Sequence, residues 1–265
     1  MKKTLATLAL SLVAAAAVFA GGQKDGSVLK VGATPEPHAE ILNLIKDDLA
    51  AQGITLQVIE FTDYVVPNEA LESGEIDANY FQHLPYLESF NTERGYHLVN
   101  AGGIHIEPFA LYSKKYKSLS AIPNGATVAI PNDPTNGGRA LLLLQSAGLI
   151  KLKANAGITA TTLDIASNPK NLKFREVEAA SLPRVLPDVD LAAINGNYAL
   201  DAGLSASKDG LFVEGADSPY VNVVAVKKGN ENNAAIKALV KALQSEKVKS
   251  WIKKNYPNGD VIAVF

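Results

Sequence analysis

From Val28 onward the sequence predicts an α/β protein with largely parallel sheets. Three observations carry this: strand-like and helix-like stretches alternate, apolar spacing switches between two and three-to-four residues, and the bulk composition is that of a globular chain. Val28, Leu29, Lys30 and Val31 form the opening strand. Pro35, Glu36 and Pro37 then start a helix in which Ile41, Leu42, Leu44, Ile45 and Leu49 make one apolar face, and Gly53 stops it. Ile54, Leu56 and Val58 alternate with polar partners up to Phe61 as a second strand. Later strands are predicted over 109–113, 126–130, 172–177, 191–194 and 221–226, with helices over 138–148 and 233–244.

No repeat, low-complexity tract or Ser/Gly linker divides this stretch, so two domains would have to share chain crossings. Residues 102–113, where glycines precede an apolar strand, and 218–228, where Ser-Pro precedes another, are the candidate crossings. A ligand cleft between lobes would lie beside them.

Composition narrows the function. The 265 residues are 47% hydrophobic and 20% charged, which excludes wholesale disorder and a polytopic membrane protein. With 25 basic and 27 acidic residues and no long run of either sign, no nucleic-acid footprint exists. Zero cysteines exclude thiol nucleophiles, thiolate metal sites and disulfides.

The first 20 residues read as an export signal: Met1-Lys2-Lys3 is a positive start, and residues 4–20 are apolar, Ala-rich and uncharged. Residues 21–27 follow as a linker, with the mature chain starting near Gly21 or Gly22.

The four histidines, at 38, 83, 97 and 105, show no metal-binding spacing, so no metal and no cofactor are expected. Ser205-Ala206-Ser207-Lys208 matches a Ser-x-x-Lys pattern without its companion motifs and reads as a solvated loop in which Ser205 is structural. Two stretches are more informative. Asn79-Tyr80-Phe81-Gln82-His83-Leu84-Pro85-Tyr86-Leu87 crowds aromatic and polar side chains at a strand-to-helix junction, a position that lines clefts or packs as ordinary core. Asp63-Tyr64 and Pro67-Asn68 form a second junction of this kind. Residues 130–144 read as strand, polar turn and helix, with Arg139 placed in the first turn against the helix dipole. A ligand carboxylate gripped by the guanidinium, a protein acid paired with it, or plain solvation would each account for Arg139.

Phe61-Thr62-Asp63-Tyr64, Pro67-Asn68-Glu69-Ala70-Leu71, Asp77-Ala78-Asn79-Tyr80-Phe81-Gln82-His83, the 131–144 block, Asn168-Pro169-Lys170-Asn171-Leu172 and Ser218-Pro219-Tyr220-Val221-Asn222 together resemble the NlpA-type methionine-binding lipoproteins. The resemblance spans nearly the whole mature chain. It implies a two-lobed periplasmic binding-protein fold (type II-like) with two crossover strands and a ligand cleft between lobes. Lobe 1 would be 28–107 and 220–265, and lobe 2 would be 108–219. It implies a non-enzymatic, monomeric, exported protein that captures L-methionine and delivers it to an ABC transporter, a permease with its ATPase.

By the same resemblance Arg139 holds the ligand carboxylate, Tyr64, Phe81, His83 and Tyr86 form an aromatic wall, and Asn195 and Asn222 meet the amino-acid head. Asn197 is a further polar candidate. Arg139 and Asn195 would sit in one lobe and the aromatics in the other. One departure stands out: Gly22 occupies the position where these lipoproteins carry the lipid-bearing cysteine, so the expected location is the periplasm or the outer face of the membrane without that thioether anchor. The rival readings are the same scaffold holding a methionine-containing dipeptide or another small amino acid, an exported enzyme using His83 or His105 near Glu107, and a surface antigen.

Overall fold

The computed structural model describes residues 27–215 and 218–265. The expected signal, all of the linker but Ser27, and Gly22 lie outside the described residues. The chain opens with β1 (Ser27–Ala33), makes a helical turn at Pro35–Ala39, continues as α1 (Glu40–Leu44) and α2 (Lys46–Ala50), and returns as β2 (Ile54–Glu60). Then come α3 (Val66–Ser73), β3 (Ala78–His83), α4 (Leu84–Arg94) and β4 (Leu98–Ile106). A second unit holds β5 (Ala110–Tyr112), β6 (Thr127–Pro131), α5 (Pro134–Ser146), β7 (Lys151–Leu152), β8 (Ile165–Ser167), β9 (Lys173–Val177) and α6 (Leu182–Val185). It is completed by β10 (Leu191–Ile194), α7 (Gly196–Asp201), α8 (Ala206–Asp209) and β11 (Phe212–Val213). The chain then rejoins the first unit through β12 (Val221–Lys227), α9 (Ala234–Leu243), α10 (Glu246–Asn255) and β13 (Ile262–Ala263).

Two sheets result, one per lobe. The first has the order β13-β4-β12-β3-β1-β2, the second β11-β5-β10-β6-β9, and β7-β8 is a separate ribbon. The expected two-lobed α/β architecture is present. The sheets are mixed rather than largely parallel: β1 pairs β2 and β3 in parallel, and β6 pairs β9 and β10 in parallel, but β12 runs antiparallel to β3 and β4, and β5 antiparallel to β10. The crossings cause this. β3 and β10 end at the cleft, whereas β12 and β5 enter from it and must run the opposite way, with Asn222 opposite His83 and Ala110 opposite Ile194. Gly102 and Gly103 lie inside β4, so the first crossing is confined to 107–109, and the second to 214–220. The opening helix is likewise shorter than expected. Glu36 is extended (φ −102°, ψ 139°) before a cis peptide to Pro37, as pre-proline sterics disfavour the helical region.

Each sheet is covered on both faces. In the first lobe Val31, Ile41, Ile45, Leu49, Val224, Leu239 and Leu243 fill one side, and Leu71, Ile76, Leu87 and Val223 the other. In the second, Leu191 and Ala193 face Leu141 and Leu144 of α5, while Ala192 and Ile194 face Leu182, Leu186 and Tyr198. Successive strand residues point to opposite faces, so a strand buried on both sides shows no polar alternation. Among the described residues no helix is long and apolar enough to cross a membrane.

Candidate functional site

All seven side chains singled out in the sequence, Tyr64, Phe81, His83, Tyr86, Arg139, Asn195 and Asn222, line one cavity between the lobes. Gln82, Glu107, Asn136, Gly196 and Asn197 complete its wall. The first lobe supplies the aromatic side. β3 runs directly into α4, so Phe81 and His83 reach the cleft at the strand end while Tyr86 follows in the first helical turn. His83 Nδ1 accepts from the Tyr86 amide at 3.1 Å, capping α4. Its Nε2–H therefore donates across the cleft to Asn136 Oδ1 at 3.1 Å. Tyr64, Phe81 and Tyr86 form a box with ring centroids 5.8–6.2 Å apart, and the Tyr86 hydroxyl donates to the Tyr64 carbonyl at 2.9 Å.

The second lobe supplies the polar side. Asp133 caps α5 by accepting from the Asn136 amide at 2.9 Å, and Pro134 opens the helix. The helix thus starts four residues earlier than expected, which moves Arg139 from the first turn to the second and removes the dipole conflict. The cause of its burial is a pairing the sequence left open. Arg139 Nε donates to Glu214 Oε1 at 2.9 Å, and Nη2 donates to Glu214 Oε2 and, at 3.0 Å, to the Glu107 carbonyl. The guanidinium also sits 4.1 Å from the Tyr220 ring centroid. Among the described residues Nη1 has no protein partner, so Nε and Nη2 are committed to Glu214 and the Glu107 carbonyl and Nη1 alone is left over.

The asparagines at the end of β10 and the start of α7 are only half satisfied. Asn195 Nδ2 donates to Asn136 Oδ1 at 2.7 Å, leaving Asn195 Oδ1 buried without a partner. Asn197 Oδ1 accepts from the Tyr64 hydroxyl at 2.5 Å across the cleft, leaving Asn197 Nδ2 buried without one. One acceptor and one donor are thus orphaned in a cavity that also holds a guanidinium. Gly196 between them touches the first crossing so closely that a Cβ there would lie 2.6 Å from Glu107 Cβ.

Behind this wall lies a polar cluster that spacing along the chain did not reveal. His105 Nε2 is 2.7 Å and His38 Nε2 3.4 Å from Glu107 Oε1, while Glu107 Oε2 accepts from the Asn197 amide at 2.6 Å. The Tyr80 hydroxyl lies 2.5 Å from His105 Nδ1, and Thr34 Oγ1 2.8 Å from His38 Nδ1. Burial pushes His38 down to about 4, and His83 and His105 down to about 3, so all three rings are neutral near pH 7. Burial pushes the Glu107 carboxyl up, opposed by His38, the Asn197 amide and Arg139. His38, His105 and Glu107 are close enough to share a cation. Each ring nitrogen already has a hydrogen-bond partner, however, and the 2.7 Å contact is a hydrogen bond rather than the spacing of two ligands on one ion.

Glu107, Asn136 and Gln82 line the cavity without standing among the seven: Glu107 is named only beside His105 in the enzyme reading, and Asn136 and Gln82 lie only inside longer stretches. The usable signal for Glu107 was an acid inside the apolar run 104–112, and for Asn136 an Asn in the turn opening an apolar helix. Ser205, half-exposed in the loop before α8, is structural: its hydroxyl is held by Asp260 at 2.8 and 3.0 Å, outside the cavity lining.

The family model described as NlpA lipoprotein matches residues 29–265. The D-methionine-binding lipoprotein MetQ of Escherichia coli strain K12 is 45% identical over 98% of this chain and 97% of its own. A nutrient binding protein from Burkholderia cenocepacia, solved bound to methionine, is 51% identical with a TM-score of 0.86, covering 89% of this chain and all of its own. An ABC transporter periplasmic substrate-binding protein from Coxiella burnetii is 48% identical with a TM-score of 0.85, again over 89% of this chain and all of its own.

Proposed function

The chain belongs to the NlpA lipoprotein family, and from that premise we propose that it is a non-catalytic, extracytoplasmic solute-binding protein that captures methionine for an ABC importer. The observation that carries the reading is the orphan pair: Asn195 Oδ1 and Asn197 Nδ2 are buried, unpartnered and of opposite hydrogen-bonding type within one cavity. Each costs about 1–3 kcal/mol while unmet. A zwitterionic amino-acid head relieves both, its ammonium donating to Asn195 Oδ1 and its carboxylate accepting from Asn197 Nδ2, Asn222 and the free Arg139 nitrogen. The Tyr64, Phe81 and Tyr86 box then takes the thioether. Burial and sulfur–aromatic contact contribute about 2 kcal/mol there.

Lobe 1 is assigned to 28–107 and 220–265 and lobe 2 to 108–219. Closure of one on the other around the ligand is the state offered to the permease and its ATPase, and the protein acts as a monomer in the periplasm or at the outer face of the cytoplasmic membrane. The methionine-binding and ABC-transporter relatives support the ligand and the transporter in this reading. The test is calorimetric titration of refolded, ligand-stripped protein with L-methionine, D-methionine, glycyl-methionine, leucine and glutamine. One-to-one binding of L-methionine, lost in Arg139→Ala, is expected. Tighter binding of glycyl-methionine would move the assignment to a dipeptide, and no heat with any of the five would sink it.

A further inference from the structure

His38 is 1% exposed and does not line the cavity, yet it touches two groups that do. Its Nε2 lies 3.2 Å from Asn222 Oδ1 and 3.4 Å from Glu107 Oε1. Only the Asn222 contact is a hydrogen bond; with the Asn222 and Glu107 oxygens both turned toward it, Nε2 carries the ring proton and donates to Asn222 Oδ1. Nδ1 is then the acceptor, and the Thr34 hydroxyl at 2.8 Å donates to it. With Nε2–H fixed, Asn222 must turn its carbonyl toward His38 and its Nδ2 toward the cleft, where among the described residues that nitrogen has no protein partner. The same bookkeeping holds on the other side of Glu107: His105 Nε2–H donates to Oε1 and the Tyr80 hydroxyl donates to His105 Nδ1. The Thr34 and Tyr80 hydroxyls thus donate to the two Nδ1 atoms, and the two rings pass their Nε2–H groups inward, His38 to Asn222 and His105 to Glu107.

We infer that His38 is a positioning residue for ligand specificity: by locking Asn222 with its amide N–H groups toward the cleft, it makes the site demand an anionic ligand head. This inference rests on the reading of the cleft as an amino-acid site. Ring shape alone does not account for His38. Its ring packs edge-on against Tyr80 at 4.7 Å between centroids, a contact that phenylalanine reproduces without either hydrogen bond.

The first test uses the unaltered protein. A long-range ¹H–¹⁵N spectrum of histidine-labelled protein is expected to show His38 as the neutral Nε2–H form, and an Nδ1–H form overturns the inference. The second compares L-methionine with L-methioninol, which carries a hydroxymethyl group in place of the carboxylate, by calorimetry. The wild-type preference for methionine is expected to shrink roughly tenfold or more in His38→Phe, the worth of a hydrogen bond to a charged group. His38→Gln, which keeps an N–H donor, is expected to restore most of it. Equal weakening of both ligands in His38→Phe means a merely structural role and overturns the inference. If wild type discriminates normally and His38→Phe does too, the inference fails while the functional reading stands. If wild type binds no methionine, the functional reading fails and takes this inference with it.

Discussion

The two walls of the cleft are finished to different degrees. On the first-lobe side, polar groups other than Asn222 Nδ2 satisfy one another: Asn68, Asn79 and Gln82 form a closed amide cluster at 2.7–2.9 Å, and His38 and His105 are matched donor to acceptor with Asn222 and Glu107. On the second-lobe side, Asn195 and Asn197 each keep one polar atom unmet. The first wall is a mould set by folding, and the second holds hydrogen-bonding capacity that a ligand completes. A binding protein built this way keeps its shape when empty, and it gains most from the ligand where the empty state is least satisfied.

The largest effect is expected at Arg139, the charged anchor of the unfinished wall. Arg139→Ala should lower L-methionine affinity more than about 100-fold and, by stranding Glu214, destabilise the fold by about 3 kcal/mol. Calorimetry and urea unfolding measure the two losses, and a variant that still binds tightly would break the contrast between the walls.

The finished wall should dominate acid sensitivity. His38, His83 and His105 have folded values of about 4, 3 and 3, below the unfolded value of 6.5. The unfolded chain therefore binds more protons, so their stability contribution is full above pH 6.5 and is lost as pH falls toward those values, at about 1.4 kcal/mol per pH unit for each ring. Glu107, pushed up, works the other way, with its cost to stability growing as pH rises through the carboxylate range. Urea midpoints from pH 7 to pH 4 should fall steeply, and His38→Phe should flatten the slope. An unchanged slope in that variant would show that His38 is not buried neutral.

Asn195→Ala sharpens the contrast. It removes the orphaned carbonyl, so L-methionine affinity should fall roughly 10–100-fold while the stability of the empty protein changes by less than about 1 kcal/mol. An equal drop in both would mean that the atom is satisfied without ligand. The smallest effect is expected for Tyr64→Phe, which removes the 2.5 Å bond to Asn197 across the cleft. About 1 kcal/mol, or roughly fivefold in affinity, should be lost.

Local pattern reading succeeded where one element decides its own fate. The strand at 191–194 is reproduced residue for residue, and the helix over 234–243 lies inside its expected span because Ile236, Leu239 and Leu243 recur at helical spacing. It failed where distant segments decide. Gly102 and Gly103 read as a crossing yet belong to β4, since the backbone of β12 pairs across them and Val240 fills the space above Gly102. The start of α5 lies four residues before its expected place because Asp133 and Pro134, which also suit a turn, here cap and open the helix.

By itself the sequence determined the α/β class and the neighbourhood of the two crossings, because apolar periodicity is a local property of the chain, and the seven cleft residues followed from the family resemblance that its ordered motifs carry. Only the tertiary structure decided that Arg139 is shared with Glu214, that Asn195 and Asn197 keep one atom each unmet, and that His38, 69 residues before Glu107 and 184 before Asn222, joins them in one network. Burial and hydrogen-bond completion depend on which groups the two crossings bring within about 3 Å, and no pattern along a single strand or helix contains that distance.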